Sequence, residues 1–268
     1  MITRKSAPEL ELMRAANGLV ASVLAALRRL VAPGVSTLEL DAVAERQVLE
    51  AGAVPAFKGY HGYPATLCAS VNDAVVHGIP SATPLVEGDI VSIDMGVVLD
   101  GFYGDSAITV PVGQVPDRTT DLLRVTRESL DLAIEQMRVG GHVSDIGHVV
   151  QRHVEAHGFA VVREFVGHGI GATLHEEPQI PNYGEPGRGP VLASGMVFAI
   201  EPMVTMGAPA VRVLDDRWTA VTRDGSLAAH FEHTVAVTDS GPRVLSQMSA
   251  RDAVVETASR EPESVPHG

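Results

Sequence analysis

The sequence predicts an α+β fold built from two similar halves, because two of its segments recur in the same order. The segment LVEGDIVSID at 85–94 matches LASGMVFAIE at 192–201 at Leu, Gly, Ile and the final carboxylate, with an offset of 107. Upstream, LVAPGVSTL at 30–38 resembles MRVGGHVSDI at 137–146 at almost the same offset. Each half then consists of helix, helix and strand, related by a pseudo-two-fold axis, and a site is expected between the halves.

Capping signals and apolar periodicity define the helices of each half. Ser6 with Glu9, and Ser36 with Glu39, have the spacing of a capping box that opens a helix. Apolar residues then recur at the intervals of an amphipathic helix. The four predicted helices span roughly 7–32, 36–52, 117–139 and 144–158.

A His-x-x-Pro segment precedes the carboxylate strand in each half, as HGIP at 77–80 and HEEP at 175–178. Three matches in one order make chance similarity the weaker explanation. The two halves are therefore interpreted as a single intertwined domain over 1–247. The remaining 248–268 has few large apolar residues after Val255 and is predicted to be a flexible tail.

The composition excludes several classes of protein. The formal net charge of −13 argues against a non-specific nucleic-acid binder, which normally carries a basic excess. Cys68 is the single cysteine, so an internal disulfide is impossible and a reducing compartment is suitable. The apolar residues after the N-terminus are interrupted by charges, so neither a secretory signal nor a membrane span is expected. We therefore expect a cytoplasmic protein that binds neither DNA nor a membrane.

Four carboxylates stand on or beside predicted apolar strands. Asp94 ends the alternating run DIVSID, and Asp105 follows eleven residues later in GFYGDSAITV. An Asp-Gly pair at 100–101 predicts a hairpin that brings these two carboxylates side by side. Glu201 ends the strand-like MVFAIE, and Glu232 lies in the alternating run AAHFEHTVAV.

Carboxylates among apolar strand residues are costly unless they are paired or bind a metal. Two divalent cations would balance the four negative charges, and the imidazole of His168 would supply a fifth ligand while two carboxylates bridge. Such an oxygen-rich ligand set suits Mn, Fe or Co better than it suits structural zinc, which prefers cysteine and histidine ligands. The spacing alone leaves open the alternative that the four residues are exposed acids at strand ends.

The segment FVGHGIGATLHEEP at 165–178 places His168 and His175 among glycines. Glycines in such a segment indicate either an unusual backbone conformation or a close approach to neighbouring chain. The two histidines are candidates for metal ligands or proton carriers.

Taken together, five segments make the chain resemble a type I methionine aminopeptidase of the pita-bread fold, from about residue 3 to 247. Only 31 residues separate Glu201 from Glu232, which leaves no room for the insertion of the larger type II enzymes. The segments that carry the resemblance are GYHGYPATLCASVNDAVVHGIP, IDMGVVLDGFYGDSA, FVGHGIGATLHEEPQIPNY, GMVFAIEPM and DRWTAVTRDGSLAAHFEHT.

The resemblance implies roles for particular residues. Glu201 would move a proton as well as bind metal, His175 would donate to the developing oxyanion, and His77 would contact the departing amide. The implied ligands of two divalent ions (Co, Mn, Fe or Zn) are Asp94, Asp105, His168, Glu201 and Glu232. The implied pocket for a methionine side chain contains Tyr60, Tyr63, Cys68, Leu174 and Trp218, with His77 and His175 beside it.

The implied activity is removal of the N-terminal methionine from nascent chains with a small second residue, by water that the metals activate. We expect a monomer, and the resemblance suggests work at the ribosome. Three positions depart from the family pattern: Gly96 replaces a common Thr, Tyr103 a common His, and Leu174 a common Phe.

Other interpretations are less well supported. In HVEAH, His153 and His157 resemble a zincin pair, but Glu155 is one position too far, so we expect surface histidines. Proline-specific enzymes of the same fold carry an additional N-terminal domain, which this chain is expected to lack. A binding protein whose ligands have decayed is disfavoured because all five predicted ligands are intact.

Overall fold

The structure, a computed structural model, describes residues 2–247, so the predicted tail at 248–268 lies outside the described residues. The helices within 2–247 are α1 (Ala7–Leu30), α2 (Thr37–Glu50), α3 (Asp117–Glu135) and α4 (Val143–Ala156). The strands of the first half are β1 (Val54–Pro55), β2 (Leu67–Val71), β3 (Ala74–Val76), β4 (Ile90–Leu99) and β5 (Phe102–Pro111). Those of the second half are β6 (Ala160–Val161), β7 (Gly167–Gly169), β8 (Glu176–Ile180), β9 (Val197–Ile200), β10 (Met203–Thr205), β11 (Val211–Val213), β12 (Ala220–Thr222), β13 (Ala228–His230), β14 (Glu232–Thr238) and β15 (Gly241–Val244).

One large antiparallel sheet joins the two halves. Its order is β1-β4-β5-β14-β9-β7-β8, with β2 added beside β4 and β15 beside β14. The repeated segments form β4 and β9, which lie symmetrically on either side of the central pair β5–β14. This arrangement agrees with the predicted pseudo-two-fold relation. Two small sheets, β13-β10-β6 and β11-β12-β3, complete the described strands.

The first two helices begin where the sequence predicts. The Ser6 amide donates to the Glu9 carboxylate at 2.7 Å. At α2 the box is reciprocal, because the Ser36 amide donates to Glu39 at 2.7 Å and the Glu39 amide donates to the Ser36 hydroxyl at 3.3 Å. Each box satisfies amides that have no partner inside the helix.

In the second half, α3 ends earlier than predicted, and α4 begins next to its predicted start. Helix α3 ends at Glu135 rather than near 139, because the chain turns and the Gly140 amide bonds the Leu192 carbonyl at 3.0 Å. Helix α4 begins at Val143, one residue before the predicted start near Ser144. Its start is fixed by the His142 amide, which donates to Asp145 at 2.7 Å. The Ser144 hydroxyl instead accepts from the Arg188 amide at 2.7 Å.

The hairpin of β4 and β5 forms as predicted. Asp100 and Gly101 occupy its two turn positions with φ of 50° and 80°. A two-residue turn with both φ values positive matches the twist of the flanking strands. Ten residue pairs follow, from Leu99–Phe102 to Ile90–Pro111, so the register of the two strands is fixed along their whole length.

Helix α1 packs against this hairpin. A Cβ at Gly104 of β5 would lie 2.8 Å from the Ala16 carbonyl carbon, so glycine allows the close approach of helix and strand. Among the described residues, α1 has the length and hydropathy of a membrane span, which a helix packed on a sheet also shows. Its buried residues are Met13, Ala16, Asn17, Val20, Ala21, Val23, Leu24 and Leu27.

Candidate metal centre

Strand register brings three of the four predicted carboxylates to one face of the large sheet. Ala107 of β5 pairs with Asp94 on one side and with Glu232 on the other. Paired residues point to the same face, so both carboxylates lie on the face of Ala107. Asp105 lies two residues before Ala107 and therefore points to that face as well.

The second half brings the remaining carboxylate and the imidazole to the same place. Glu201 follows directly after β9, whose last residue Ile200 pairs with His233 beside Glu232. His168 of β7 pairs with Ala199 of β9. Its Nε2 lies 3.6 Å from Glu201 Oε1 and 4.0 Å from Asp105 Oδ2.

The five predicted ligands thus meet, although they come from β4, β5, β7, β14 and the end of β9. One donor atom each from Asp105, His168 and Glu232 lies within 4.8 Å of the others. Asp105 and Glu232 are only 4% and 2% exposed, so the alternative of exposed acids at strand ends does not apply to them.

The carboxylates have the chemistry of a site built for cations. Asp94 Oδ1, Asp105 Oδ1 and Glu232 Oε1 are buried and have no hydrogen-bond partner. Burial raises the pKa of Asp94 to about 7. Burial, together with the neighbouring carboxylates, holds the pKa values of Asp105, Glu201 and Glu232 well above their usual range. Bound divalent cations would supply the missing partners and favour the ionised carboxylates, so these residues fit such ions.

His168 is held in the form that a metal requires. Its Nδ1 lies 3.0 Å from the Gly169 carbonyl, which can only accept, so Nδ1 carries the proton and Nε2 presents a lone pair. Burial lowers the pKa of His168 to about 4, which keeps the ring neutral.

The glycines around His168 serve close approach. A Cβ at Gly167 would lie 2.4 Å from the Ala199 carbonyl oxygen, and one at Gly169 would lie 2.3 Å from that of Glu177. Neither glycine has a positive φ. Of the two explanations that the sequence allows, close packing of β7 between β8 and β9 is therefore the correct one.

The two His-x-x-Pro histidines line the same cavity but differ in setting. His77 is partly buried, adopts a φ of 60°, and its ring meets Phe165 edge-on at 5.3 Å. His175 is exposed, its ring lies 4.4 Å from that of His168, and its Nδ1 lies 2.8 Å from the Tyr60 hydroxyl. Glu176, the next residue, is paired with Lys5 rather than with the carboxylate cluster.

The cavity has a volume of about 280 Å³, and all the predicted ligands and pocket residues lie along it. Tyr63 is buried and meets Trp218 edge-on with ring centroids 5.1 Å apart. Burial also raises the pKa of the Cys68 thiol well above its usual range, which leaves it unsuited as a nucleophile. Six further lining residues were not predicted from sequence, because no local motif marks them: Phe57, Val76, Glu164, Phe165, Val166 and Met203.

His230, which does not line the cavity, was also not predicted from the sequence. Its Nε2 is buried without a hydrogen-bond partner and lies 3.7 Å from Glu201 Oε2. Burial lowers the pKa of His230 to about 3, so the ring is neutral. Its position two residues before Glu232 in an alternating run was a signal that it faces the same side.

The structure accounts for two of the three departures from the family pattern. A Cβ at Gly96 would lie 2.8 Å from the Phe57 ring, so Phe57 occupies the space that a threonine side chain would need. Leu174 is 3% exposed and lines the cavity, where its side chain leaves more room than a phenylalanine. Tyr103 packs against the apolar cluster that contains Phe57 and Leu174, and its backbone amide donates to the Gly171 carbonyl at 2.8 Å.

Comparison with known proteins agrees with this geometry. The family model of the metallopeptidase family M24 matches residues 11–239. A methionine aminopeptidase of Clostridium perfringens is 50% identical over 92% of this chain and 99% of its own, and methionine aminopeptidase 1 of Mycobacterium tuberculosis is 52% identical over 92% and 95%.

Solved structures show the same fold. The crystal structure of methionine aminopeptidase from Thermotoga maritima is 47% identical, with a TM-score of 0.91 over 92% of this chain and 100% of the other. The prolidase of Pyrococcus horikoshii, at 22% identity and a TM-score of 0.74, shares the fold alone. The predicted pita-bread fold is confirmed, and the chain belongs to metallopeptidase family M24, among its methionine aminopeptidases.

Proposed function

We propose that this chain removes the N-terminal methionine from proteins and peptides whose second residue is small. The observation that carries the proposal is the buried row of carboxylates with His168 at the wall of an apolar cavity. The similarity to methionine aminopeptidases over 92% of the chain supports the same reaction. We also infer that 1–247 forms one catalytic domain, because its two halves share one sheet and contribute to one centre.

Asp94, Asp105, His168, Glu201 and Glu232 would hold two divalent ions, whose charge balances that of the four carboxylates. Co, Mn and Fe suit these oxygen-rich ligands, and Zn is also compatible. When bound, such ions activate water near neutral pH and polarise a peptide carbonyl. The aspartates of β4 and β5 sit in a fully paired hairpin, which fixes their positions before any ion arrives.

Glu201 is the residue best placed to move a proton. It follows the end of β9, its backbone carbonyl is anchored by the Asn182 amide at 3.0 Å, and its two oxygens face different histidines. Burial holds the pKa of Glu201 well above its usual range, so it accepts a proton more readily than an exposed glutamate.

His175 would stabilise the oxyanion. The Tyr60 hydroxyl lies 2.8 Å from His175 Nδ1. Where the hydroxyl donates this hydrogen bond, the ring proton is on Nε2. Nε2 is then a fixed donor for a carbonyl oxygen that gains charge, and such a donor contributes more than about 2 kcal/mol in comparable sites. His77, across the cavity, would contact the amide nitrogen of the departing peptide.

The remaining cavity suits a methionine side chain. Tyr63, Leu174 and Trp218 provide apolar walls, and the buried Cys68 adds a small, polarisable surface. The free α-amine would bind at the metals, so only the terminal residue is removed. The second side chain then lies at the narrow rim near His77, where only small residues fit.

The natural substrates would be nascent chains, and we infer a cytoplasmic, monomeric enzyme that meets them near the ribosome. The net charge of −13 supports a partner other than nucleic acid.

The test compares Met-Ala-Ser with Met-Ile-Ser and with an Ala-Pro peptide, with and without Mn²⁺. We expect cleavage of Met-Ala-Ser in the presence of metal, with a rate about 100-fold lower for Met-Ile-Ser, since a displacement of about 1 Å is enough for such a loss. Preferred cleavage of the Ala-Pro peptide would instead identify a proline-specific enzyme.

A further inference from the structure

A second cluster of metal-ligand residues lies on the helices of the second half. His153 stands in the last turn of α4, and His157 follows at the helix end. Their ring centroids are 4.5 Å apart, as expected for residues four positions apart on one helix face. Neither residue lines the cavity of the carboxylate cluster.

The third member comes from the neighbouring helix. Glu128 of α3 places its Oε2 3.1 Å from His153 Nε2. One donor atom from each of Glu128, His153 and His157 lies within 4.8 Å of the others. Glu128 lies outside the local motif HVEAH. The glutamate within that motif, Glu155, accepts instead from the Gln151 side chain at 2.9 Å.

The hydrogen bonds of His157 and Glu128 leave each residue with an atom that can bind a metal. His157 Nδ1 lies 2.8 Å from the His153 carbonyl oxygen, so Nδ1 carries the proton and Nε2 presents a lone pair. The Arg124 guanidinium, whose Nη1 is 2.9 Å from both carboxylate oxygens, holds the pKa of Glu128 below its usual range. Glu128 is therefore ionised, and it can turn Oε2 to an ion while Oε1 keeps Arg124.

The distances suit one small ion after a modest adjustment. Metal–nitrogen and metal–oxygen bonds are about 2.0–2.2 Å, so two ligands of one ion are separated by at most about 4.3 Å. The donor atoms of Glu128 and His153, 3.1 Å apart, already meet this condition. The side chains are partly exposed and can rotate to shorten the remaining distances within the cluster, which are at most 4.8 Å.

We propose that Glu128, His153 and His157 form a peripheral site for one borderline divalent cation of the Zn²⁺ or Ni²⁺ type. Two imidazoles and one carboxylate with open positions are a donor set that these ions favour over Mg²⁺ or Ca²⁺. The bound ion joins α3 to α4. The site is independent of the peptidase reaction proposed above.

The test counts Zn²⁺ bound per chain by titration of the chelator-treated full-length protein. His157→Ala removes one ligand at an exposed position, so folding is little affected. We expect this variant to lose one bound Zn²⁺, or to bind it at least about 10-fold more weakly, while activity with Mn²⁺ is unchanged. Glu155→Gln, which removes an acid from the same helix outside the cluster, should keep the wild-type count.

An equal Zn²⁺ count and affinity in the wild type and His157→Ala would overturn the proposal. A crystal soaked in Zn²⁺ gives a second measurement, because anomalous density between the three side chains is required. Absence of this density would show that the cluster is only a hydrogen bond between Glu128 and His153. If the wild-type protein showed no peptidase activity, the proposed reaction would be wrong. The difference in Zn²⁺ count between the wild type and His157→Ala would still test the helix site.

Discussion

The two halves of the chain carry the same strand but hold its carboxylate differently. In the first half β4 continues past Asp94 into a hairpin that is paired over ten positions, and Asp105 lies in the same ladder. In the second half β9 stops at Ile200, and Glu201 lies just beyond the paired strand. The first half therefore holds its carboxylates inside a paired ladder, whereas the Glu201 carboxylate of the second half lies outside one, between His168 and His230.

The repeated histidines show the same division. His77 is held in a left-handed backbone conformation and packed against Phe165. His175 reaches solvent, and its orientation depends on the hydrogen bond with Tyr60. The internal repeat supplies two copies of one framework. We propose that the first copy serves mainly to position groups, whereas the second carries more of the chemistry.

The largest expected effect is loss of the metal centre from a change in the first half. Asp105→Asn replaces a buried carboxylate by a neutral amide and should weaken metal binding by more than about 100-fold, with corresponding loss of activity. Titration with Mn²⁺ measures the affinity. Asp100→Asn in the turn of the same hairpin is the matched control, and equal affinities for the two variants would contradict the assignment.

A change in the second half should spare the metals and slow the reaction. His175→Ala should lower kcat by about 10²–10³ while metal affinity and KM change little, since an oxyanion donor acts only in the transition state. His77→Ala should lower kcat by less. If kcat of His175→Ala equalled that of the wild type, the division between the halves would be wrong.

The metal-free protein should lose stability as the pH rises from 6.5 to 8. In the folded chain, burial raises the pKa of Asp94 to about 7, above its unfolded value, so the folded state holds protons that the unfolded state has lost. Stability therefore falls with rising pH for as long as the folded state keeps these protons, and it levels off once they leave. His168, with its pKa lowered to about 4, is neutral in both states across most of this range. Urea titrations measure the slope, which Mn²⁺ should abolish, and a flat profile without metal would argue against buried, protonated carboxylates.

The smallest expected effect concerns the orientation of His175. Tyr60→Phe removes a single hydrogen bond worth about 0.5–1.5 kcal/mol and should lower kcat about 3–10-fold without altering metal affinity. Tyr183→Phe, outside the cavity, is the control. A change in KM alone would assign Tyr60 to the side-chain pocket rather than to the support of His175.

Short-range signals in the sequence predicted much of the fold and the ligand set. Capping boxes at Ser6 and Ser36 and the Asp100-Gly101 turn act over a few residues, and the structure confirms them. The carboxylates could be located because charged residues stand out among apolar strand residues. The start of α4 was predicted near Ser144 and lies at Val143. The Ser144 hydroxyl accepts from the Arg188 amide, 44 positions away.

Contacts between distant segments could not be predicted in the same way. Phe57 fills the space beside Gly96, and Glu128 meets His153 from another helix, although neither pair shares a local motif. His230 was overlooked because its buried Nε2 becomes informative only when Glu201, from a distant segment of the chain, is seen to face it. Such residues are set by packing across the chain, which spacing alone does not encode.

The central claim is that the carboxylate cluster works only with bound divalent metal, and chelation tests it most directly. The protein is stripped of metal, its residual content is measured, and release of methionine from Met-Ala-Ser is followed as Mn²⁺ or Co²⁺ is added back. We expect no turnover in the stripped sample and restored activity that saturates as two ions bind per chain at the cluster. Full turnover in the rigorously metal-free sample would contradict the account.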